Sequence, residues 1–529
     1  MTSSSTRPAR ITSGRALKQN LVAGVAMGVL IALLPAAGHA QSINKLEQQI
    51  QALQTNYQAQ IDNLQAQIRA LKEQQAQQDV KTEAVRQQAV QVATVEKKRP
   101  HVVQTKNNRF GLESADGKNS IYLTGRVHFD VGGYDDYHRS NSGEGEKAPA
   151  ELADGENFRR ARIGVVGKFL GDFDYGLIYD FGGSSDTITT GQSGAPTSGI
   201  ENAYITYNGF YKPHNLIPLA FDIGAIDIPW TLGEATSSND IMFMERASPQ
   251  IIATEFGGGD ARPVFGVRSN NDRYYFNAYL TGPSTGALHS DTTATCPVGQ
   301  PSADCDGPQL AFLTRATYQF IQTDDFSLHL GADFGDLLRP RGSTNLETIT
   351  LSDRPELRID PTTFISTGAM EARSGTVFDG EAAATLGNAY VDGEFYHYSV
   401  NRITVPDVEF NGGYVEASYA IGGKRHYLPA TGAYSDVIPE HPLDLDGSGL
   451  GAVELAIRYS RVDLNDDGVA KDPVYGGDQK TYAVGLNYHP NVNMRFMLDL
   501  EHVDIYVPGG DTAKGASFND FALRSQLNF

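Results

Sequence analysis

The fold class that this 529-residue sequence predicts is an all-β transmembrane barrel of sixteen antiparallel strands preceded by an α-helical coiled coil. Three observations predict it. Apolar and polar residues alternate with period two in many segments of about eight to eleven residues. The connections between those segments alternate between short turns and long loops. The composition is that of a glycine- and aromatic-rich β-protein, with Gly 55, Tyr 25 and Phe 24 against a single Trp and two Cys. A mean hydropathy of -0.33, with one apolar run near spanning length, excludes a bundle of membrane-spanning helices. The net charge of -20 argues against nucleic acid as a partner.

At the N-terminus Arg7, Arg10, Arg15 and Lys18 precede the apolar run Leu21 to Ala37, which is followed by Gly38-His39-Ala40. This pattern predicts a secretory signal peptide over 1–40, cleaved after Ala40. An uncleaved anchor is the alternative, against which stand the small residues at Gly38 and Ala40 and the very polar segment that follows. Losing a leader with four basic and no acidic residues leaves the exported chain more negative still.

Residues 41–92 are rich in Gln, Ala and Leu and contain neither Pro nor Gly, which favours helix. Ile43, Leu46, Ile50, Leu53 and Tyr57 hold one heptad register; Ile61, Leu64, Ile68 and Leu71 hold a second, offset as a stutter. The narrow stripe with Gln-rich flanks predicts a periplasmic coiled coil rather than a helix lying on the rest of the chain. Residues 93–108, with Lys97-Lys98-Arg99-Pro100, read as a short basic linker.

The barrel is predicted over 109–529. In 121–131, Ile121, Leu123, Val127, Phe129 and Val131 share one face, while Tyr122, Thr124, Arg126, His128 and Asp130 share the other. The same alternation places strands near 158–169, 173–182, 201–208, 218–226, 263–268, 273–281, 310–320, 325–334, 377–387, 389–399, 413–421, 451–461, 481–488, 493–503 and 519–529. One connection, 422–450, is long where the pattern demands a short turn, so either the strand count slips there or one turn is unusually large. The sequence closes on FALRSQLNF, alternating to an aromatic end that resembles the recognition signal of bacterial barrel-insertion machinery. Together with the leader, this predicts the bacterial outer membrane as its place, with lipid and lipopolysaccharide around it and the coiled coil in the periplasm.

A sixteen-strand barrel is wide enough to leave an aqueous channel, so passive diffusion of solutes is the default expectation. Four ordered blocks, TGRVHFD (124–130), FRRARIGVVGKFLGDFDYGLIYDF (158–181), EATSSNDIMFMERASP (234–249) and TYAVGLNYHPNVNMRFM (481–497), resemble the phosphate-selective porin O and P family. The resemblance implies a homotrimer, a constriction narrowed by inward-folding loops, and a ladder of arginines leading anions such as phosphate or polyphosphate inward. By resemblance Arg126 matches the first-strand arginine, Arg159 and Arg160 the paired arginines, and Arg246 the arginine after the TSS segment. Alternation independently turns Arg126, Arg160, Arg162 and Lys168 towards the lumen and puts Arg315 and Arg458 on the polar faces of their strands. Guanidinium groups suit oxyanions because they stay charged and offer forked donors. For any single arginine a salt bridge that stiffens the wall is an equal expectation. The chain departs from the family at Glu234, where phosphate-binding members carry a lysine; an acid in the constriction opposes an anion. Glu201 stands where those members have an aspartate. A general or sugar-type porin on the same scaffold is therefore the alternative, with the coiled coil as an envelope tether to peptidoglycan or a periplasmic protein.

Other chemistry is weak. Asp463 to Gly468 opens like a calcium loop and Asp444 to Gly449 nearly does, but both lack the acid at the twelfth position, so acidic turns without metal or cofactor are expected, loose Ca²⁺ or lipopolysaccharide-bridging cations in surface loops being the alternative. Cys296 and Cys305 predict a loop-closing disulfide in an exported protein. The single Gly-x-Ser-x-Gly spacing, Gly282-Pro283-Ser284-Thr285-Gly286, contains a Pro and opens no helical pattern, so it does not read as a nucleophile elbow, and a barrel lipase or protease would need a Ser/His or Asp/His cluster at one rim, so no enzyme is expected.

Overall fold

The computed structural model describes residues 39–96, 99–105, 109–140, 151–182, 199–211, 217–259, 262–283, 309–323, 325–340, 347–468, 471–508 and 514–529. The leader up to residue 38 and the two cysteines lie outside them. The chain divides into Met1–Thr94 and Val95–Phe529.

In the first unit, α1 (His39–Glu96) is a single 58-residue helix, about 87 Å long at 1.5 Å per residue. Its heptad residues, from Ile43 and Leu46 to Ile68 and Leu71, are all exposed. In the second unit, His101–Gln104 pairs antiparallel with Phe110–Glu113, so part of the 93–108 stretch is strand.

Sixteen strands form the barrel: β1 (Ser120–Ser140), β2 (Gly155–Phe169), β3 (Phe173–Asp180), β4 (Gly199–Phe210), β5 (Leu219–Ile226), β6 (Arg262–Asn270), β7 (Tyr274–Thr281), β8 (Leu310–Gln322), β9 (Phe326–Arg339), β10 (Met370–Leu386), β11 (Ala389–Arg402), β12 (Val408–Ile421), β13 (Ala452–Asp466), β14 (Val474–Asn491), β15 (Met494–Val507) and β16 (Lys514–Asn528). Each pairs antiparallel with its sequence neighbour, and β16 closes on β1 from Gly515↔Ser140 to Asn528↔Arg126, which leaves no edge in the wall. The burial pattern is that of a barrel in lipid: Leu123, Ile163, Leu177, Ile223, Phe265, Phe395, Ile457 and Leu523 point outward and exposed, whereas charged and polar side chains line the inside. Aromatic rings run around the end that carries the short turns, with Phe169 and Phe173 at 4.8 Å, Phe173 and Tyr207 at 5.1 Å, and Tyr207 and Phe210 at 5.6 Å. Such girdles mark the membrane interface.

Among the described residues, three connections fold into the barrel: 227–259, 347–369 and 422–451. Trp230, Ile252 and Phe256 from the first join Leu351 and Ile365 from the second in an apolar cluster against Tyr279, Leu313, Val377 and Tyr398 of the wall. The interior is thus partly packed, unlike the open lumen that barrel width alone suggests. The third, from β12 to β13, is the long connection flagged by the strand pattern. It is a large turn on the end of the short turns, and it inserts Tyr434 against Tyr390 at 4.8 Å.

Candidate pore constriction

The connection 227–259 carries two short helices, α2 (Leu232–Ala235) and α3 (Ser248–Thr254). The amides of Leu232 and Gly233 donate to the carboxylate of Glu394 on β11, so an acid meets the open amides of a helix N-terminus. Further along, wall side chains hold the loop by its backbone. Asn487 Nδ2 donates to the Met242 carbonyl at 2.8 Å, Arg495 Nη1 to the Ile241 carbonyl at 2.8 Å and Arg458 Nη1 to the Glu245 carbonyl at 2.9 Å, while Asp499 accepts from the Met244 amide at 2.7 Å. On the opposite side Arg126 donates to Ser238 Oγ, and His128 Nε2 lies 3.0 Å from Asn239 Oδ1. The loop therefore crosses the lumen from the β11 side to the β1 side.

The wall formed by β16, β1 and β2 is basic. Cross-strand register places Arg126 opposite Arg162, His128 opposite Arg160, and Arg524 opposite Asp130. A register shift between His128 and Phe129 inserts a bulge into β2. Phe158 then faces lipid while both Arg159 and Arg160 turn inward and are buried. Strict alternation could not orient Arg159; the bulge does. Most of these charges are compensated. Arg159 forms a two-pronged pair with Glu245 at 2.8 and 2.9 Å. Arg162 pairs with Asp180 at 2.8 Å and with Glu201, and Arg524 with Asp130 and Glu245. Arg160 is different: it has no ion pair among the described residues, and its Nε and Nη1 have no hydrogen-bond partner. The Nδ1 of His128, across the register from it, is likewise unpartnered. Glu245, although buried, is held well below the usual carboxylate range by Arg159 and Arg524.

The remaining sequence-predicted residues lie elsewhere. Arg246 belongs to the loop and braces it, donating to the carbonyls of Gly233 at 2.8 Å and Thr236 at 3.1 Å. Its Nε is 3.5 Å from Glu234, whose carboxylate also accepts from Gln250 Nε2 at 2.7 Å. Arg315 is fully buried, paired in two-pronged fashion with Glu381 at 2.9 Å and donating to the carbonyls of Thr431 and Gly432 in the inward turn. Arg458 meets Glu356, with Glu501 at 3.5 Å and Glu416 at 3.6 Å, and its guanidinium lies 4.4 Å above the Phe243 ring. The segment at Asp444 is a turn closed on its own backbone, with Asp446 N donating to Asp444 Oδ1.

Half-way around the barrel, β9 to β12 present the opposite sign. Asp333, Asp379, Glu381, Asp392 and Glu394 are all buried on the inner face. Sequence reasoning did not single out this acidic wall, nor Arg425, Arg495 and Arg524. Arg524 was legible as a polar-face residue of the last strand, whereas Arg425 lies in the inward turn, where no alternation exists. Asp240 in the crossing loop is pushed up to about 6 by burial and by neighbouring Asp436.

Comparison with known proteins places this architecture. The family described as phosphate-selective porin O and P matches residues 121–529. An uncharacterized protein of Caulobacter vibrioides is 25% identical over 394 residues, covering 73% of this chain and 69% of its own length. Among solved structures, OmpT of Vibrio cholerae is similar with a TM-score of 0.45 at 11% identity, covering 78% of this chain and 98% of its own. An anion-selective porin from Comamonas acidovorans gives 0.40 at 11% identity, covering 78% and 100%. The closed sixteen-strand wall with its lipid-facing apolar belt and inward loops, and the family match over the length of that wall, assign the chain to the phosphate-selective porin O and P family of outer-membrane porins.

Proposed function

We propose that this porin passes small anions, with phosphate or polyphosphate as the leading cargo, along the basic wall of β16, β1 and β2. The observation that carries the reading is Arg160, a permanent charge facing inward without a carboxylate partner, beside an unpartnered ring nitrogen of His128. An oxyanion would satisfy the Arg160 nitrogens through charge-assisted hydrogen bonds; because His128 Nε2 faces the acceptor Asn239 Oδ1, its Nδ1 is itself an acceptor and would be met by the hydroxyl of a protonated phosphate. Arg126, held by Ser238, extends the path along the same strand. The other arginines of the set serve in this reading as positioning groups for the wall and loop. Planar-bilayer reversal potentials under a salt gradient, with phosphate against chloride, test the proposal. Anion preference with phosphate block of chloride current is expected; cation preference would overturn it.

A second reading, a general porin without phosphate selectivity, is favoured by the acidic wall opposite the basic one. Opposed charges across a lumen produce a transverse field that orients polar solutes of either sign. Lack of any phosphate block would select it.

The assembly is read as a homotrimer with α1 a coiled coil in the periplasm, supported by the exposed heptad stripe. Chemical cross-linking of the full chain tests it. Three-chain products are expected, and Leu64→Asp should reduce cross-links within 41–92.

A further inference from the structure

We infer that the acidic wall of β9 to β11 holds a resident divalent cation of the hard, oxygen-seeking class represented by calcium, a site that goes beyond the anion path on the other side of the lumen. Asp333, Asp379, Glu381 and Glu394 each offer one carboxylate oxygen, and these four oxygens lie within 4.8 Å of one another. Oxygens bound to one Ca²⁺ at 2.3–2.6 Å are separated by up to about 5 Å, so the cluster is already of the right size. An all-oxygen set excludes the soft metals.

The register shows why proximity alone leaves the wall incomplete. Asp333 is directly opposite Asp379, and Glu381 directly opposite Glu394. Two like-charge pairs on adjacent ladders destabilise a sheet unless something offsets them. Two members are provided for. Glu381 is bound by Arg315 at 2.9 Å and met by His329 Nε2. Glu394 accepts from two loop amides and from the hydroxyls of Tyr396 at 2.7 Å and Tyr414 at 2.6 Å. The other two are not. Neither carboxylate oxygen of Asp379, a residue only 5% exposed, receives a hydrogen bond from an amide, hydroxyl or cationic group; what comes within hydrogen-bonding reach is the carboxyls of Asp333 and Glu394. Neither oxygen of Asp333 does either, and its nearest counter-charge is Arg315 Nε at 3.6 Å. The Asp379 carboxylate is thus aimed, without any donor group, into a group of three other acids. A divalent ion there would bridge Asp333 and Asp379 and draw in Glu381 and Glu394. Because Glu394 also holds the N-terminus of α2, the ion would fasten the crossing loop to the wall.

The test is equilibrium dialysis of the purified full-length porin against ⁴⁵Ca²⁺, followed by melting in Ca²⁺ and in EDTA, for the wild type, Asp379→Asn and Asp333→Asn. Retained chloride conductance in a bilayer establishes that each variant is folded. One bound Ca²⁺ per chain is expected to vanish in both variants, leaving only any weaker surface sites, and EDTA should lower the melting temperature of the wild type alone. Equal Ca²⁺ stoichiometry in wild type and variants would overturn the inference. So would a wild type indifferent to EDTA with variants that melt higher, the signature of two acids sharing a proton.

Discussion

Replacing Arg160 by glutamine separates the proposed anion path from the structure that supports it. The five inward arginines near the crossing loop, Arg126, Arg159, Arg160, Arg162 and Arg524, face the four carboxylates of Asp130, Asp180, Glu201 and Glu245. Among the described residues Arg160 has no ion pair, and two of its nitrogens have no hydrogen-bond partner, so its loss breaks no salt bridge and leaves no acid uncompensated. Glutamine keeps a donor at similar reach and removes the charge. A hydrogen bond to a charged group contributes about 1.5–3 kcal/mol net. Losing one from a bound phosphate corresponds to about 10- to 150-fold in the concentration that half-blocks chloride current. Single-channel recording in a planar bilayer reads both that concentration and the reversal potential. R160Q should fold to the same yield, lose phosphate block by that factor, and shift reversal towards cations. A variant with wild-type block and reversal would refute the assignment of Arg160 to the path, whatever the selectivity of the channel.

Two further outcomes follow from the same geometry. Asp240, whose carboxyl is raised to about 6, is protonated as pH falls through that value, removing a negative charge beside the basic wall. Anion preference should therefore rise between pH 7 and pH 5 in reversal-potential measurements, and Asp240→Asn should fix it at the acidic value. The folded state favours the proton, so the stability contributed by the neutral acid is present at low pH and lost as pH rises through about 6. Arg315→Gln leaves the buried Glu381 without its guanidinium and with only the His329 ring against it, and should cost about 3–5 kcal/mol. Thermal unfolding on gels would read this as an earlier transition, with reversal potential unchanged in channels that do insert.

All sixteen strands were legible because lipid on one side and polar lumen on the other impose period two on every segment. Their lengths were not. Alternation places the first strand at 121–131, whereas β1 runs Ser120–Ser140. Only about 9–11 residues of a tilted strand lie in the bilayer, so beyond the apolar belt both faces are polar and the period fades. The strand pattern flagged 422–450 as an unusually large turn or a slipped count but not its inward path, for a related reason: it is short pieces of strand, such as Tyr427–Leu428 with Ala433–Tyr434, packed inside the wall rather than across it. For the arginines, alternation indicates a face but not a partner. It treats Arg160 and Arg315 alike, yet the first has no carboxylate and the second has Glu381 and Asp333. Partners come from loops and strands distant in sequence, and their positions are set by packing.

Glu234 shows how far a single family position can mislead when read by charge alone. As a lone acid in a constriction it would repel phosphate. In the structure its side chain is only 3% exposed and meets Arg246 at 3.5 Å and Gln250 at 2.7 Å, so its field is largely offset within the loop. Arg246 does not depend on it for position, since the carbonyls of Gly233 and Thr236 hold the guanidinium. Glu234→Gln should therefore keep the loop fold while leaving the charge of Arg246 uncancelled, and anion preference should increase. Glu234→Lys should not recreate a phosphate site, because burying an ammonium beside Arg246 sets two like charges in a low-dielectric pocket, and several kcal/mol of repulsion and desolvation would displace the loop. Reversal potentials of the two variants separate the possibilities. A gain for the glutamine variant with loss of conductance for the lysine variant fits the brace. Stronger phosphate block in the lysine variant would mean that this side chain reaches the lumen and that the brace at Arg246 does not confine it.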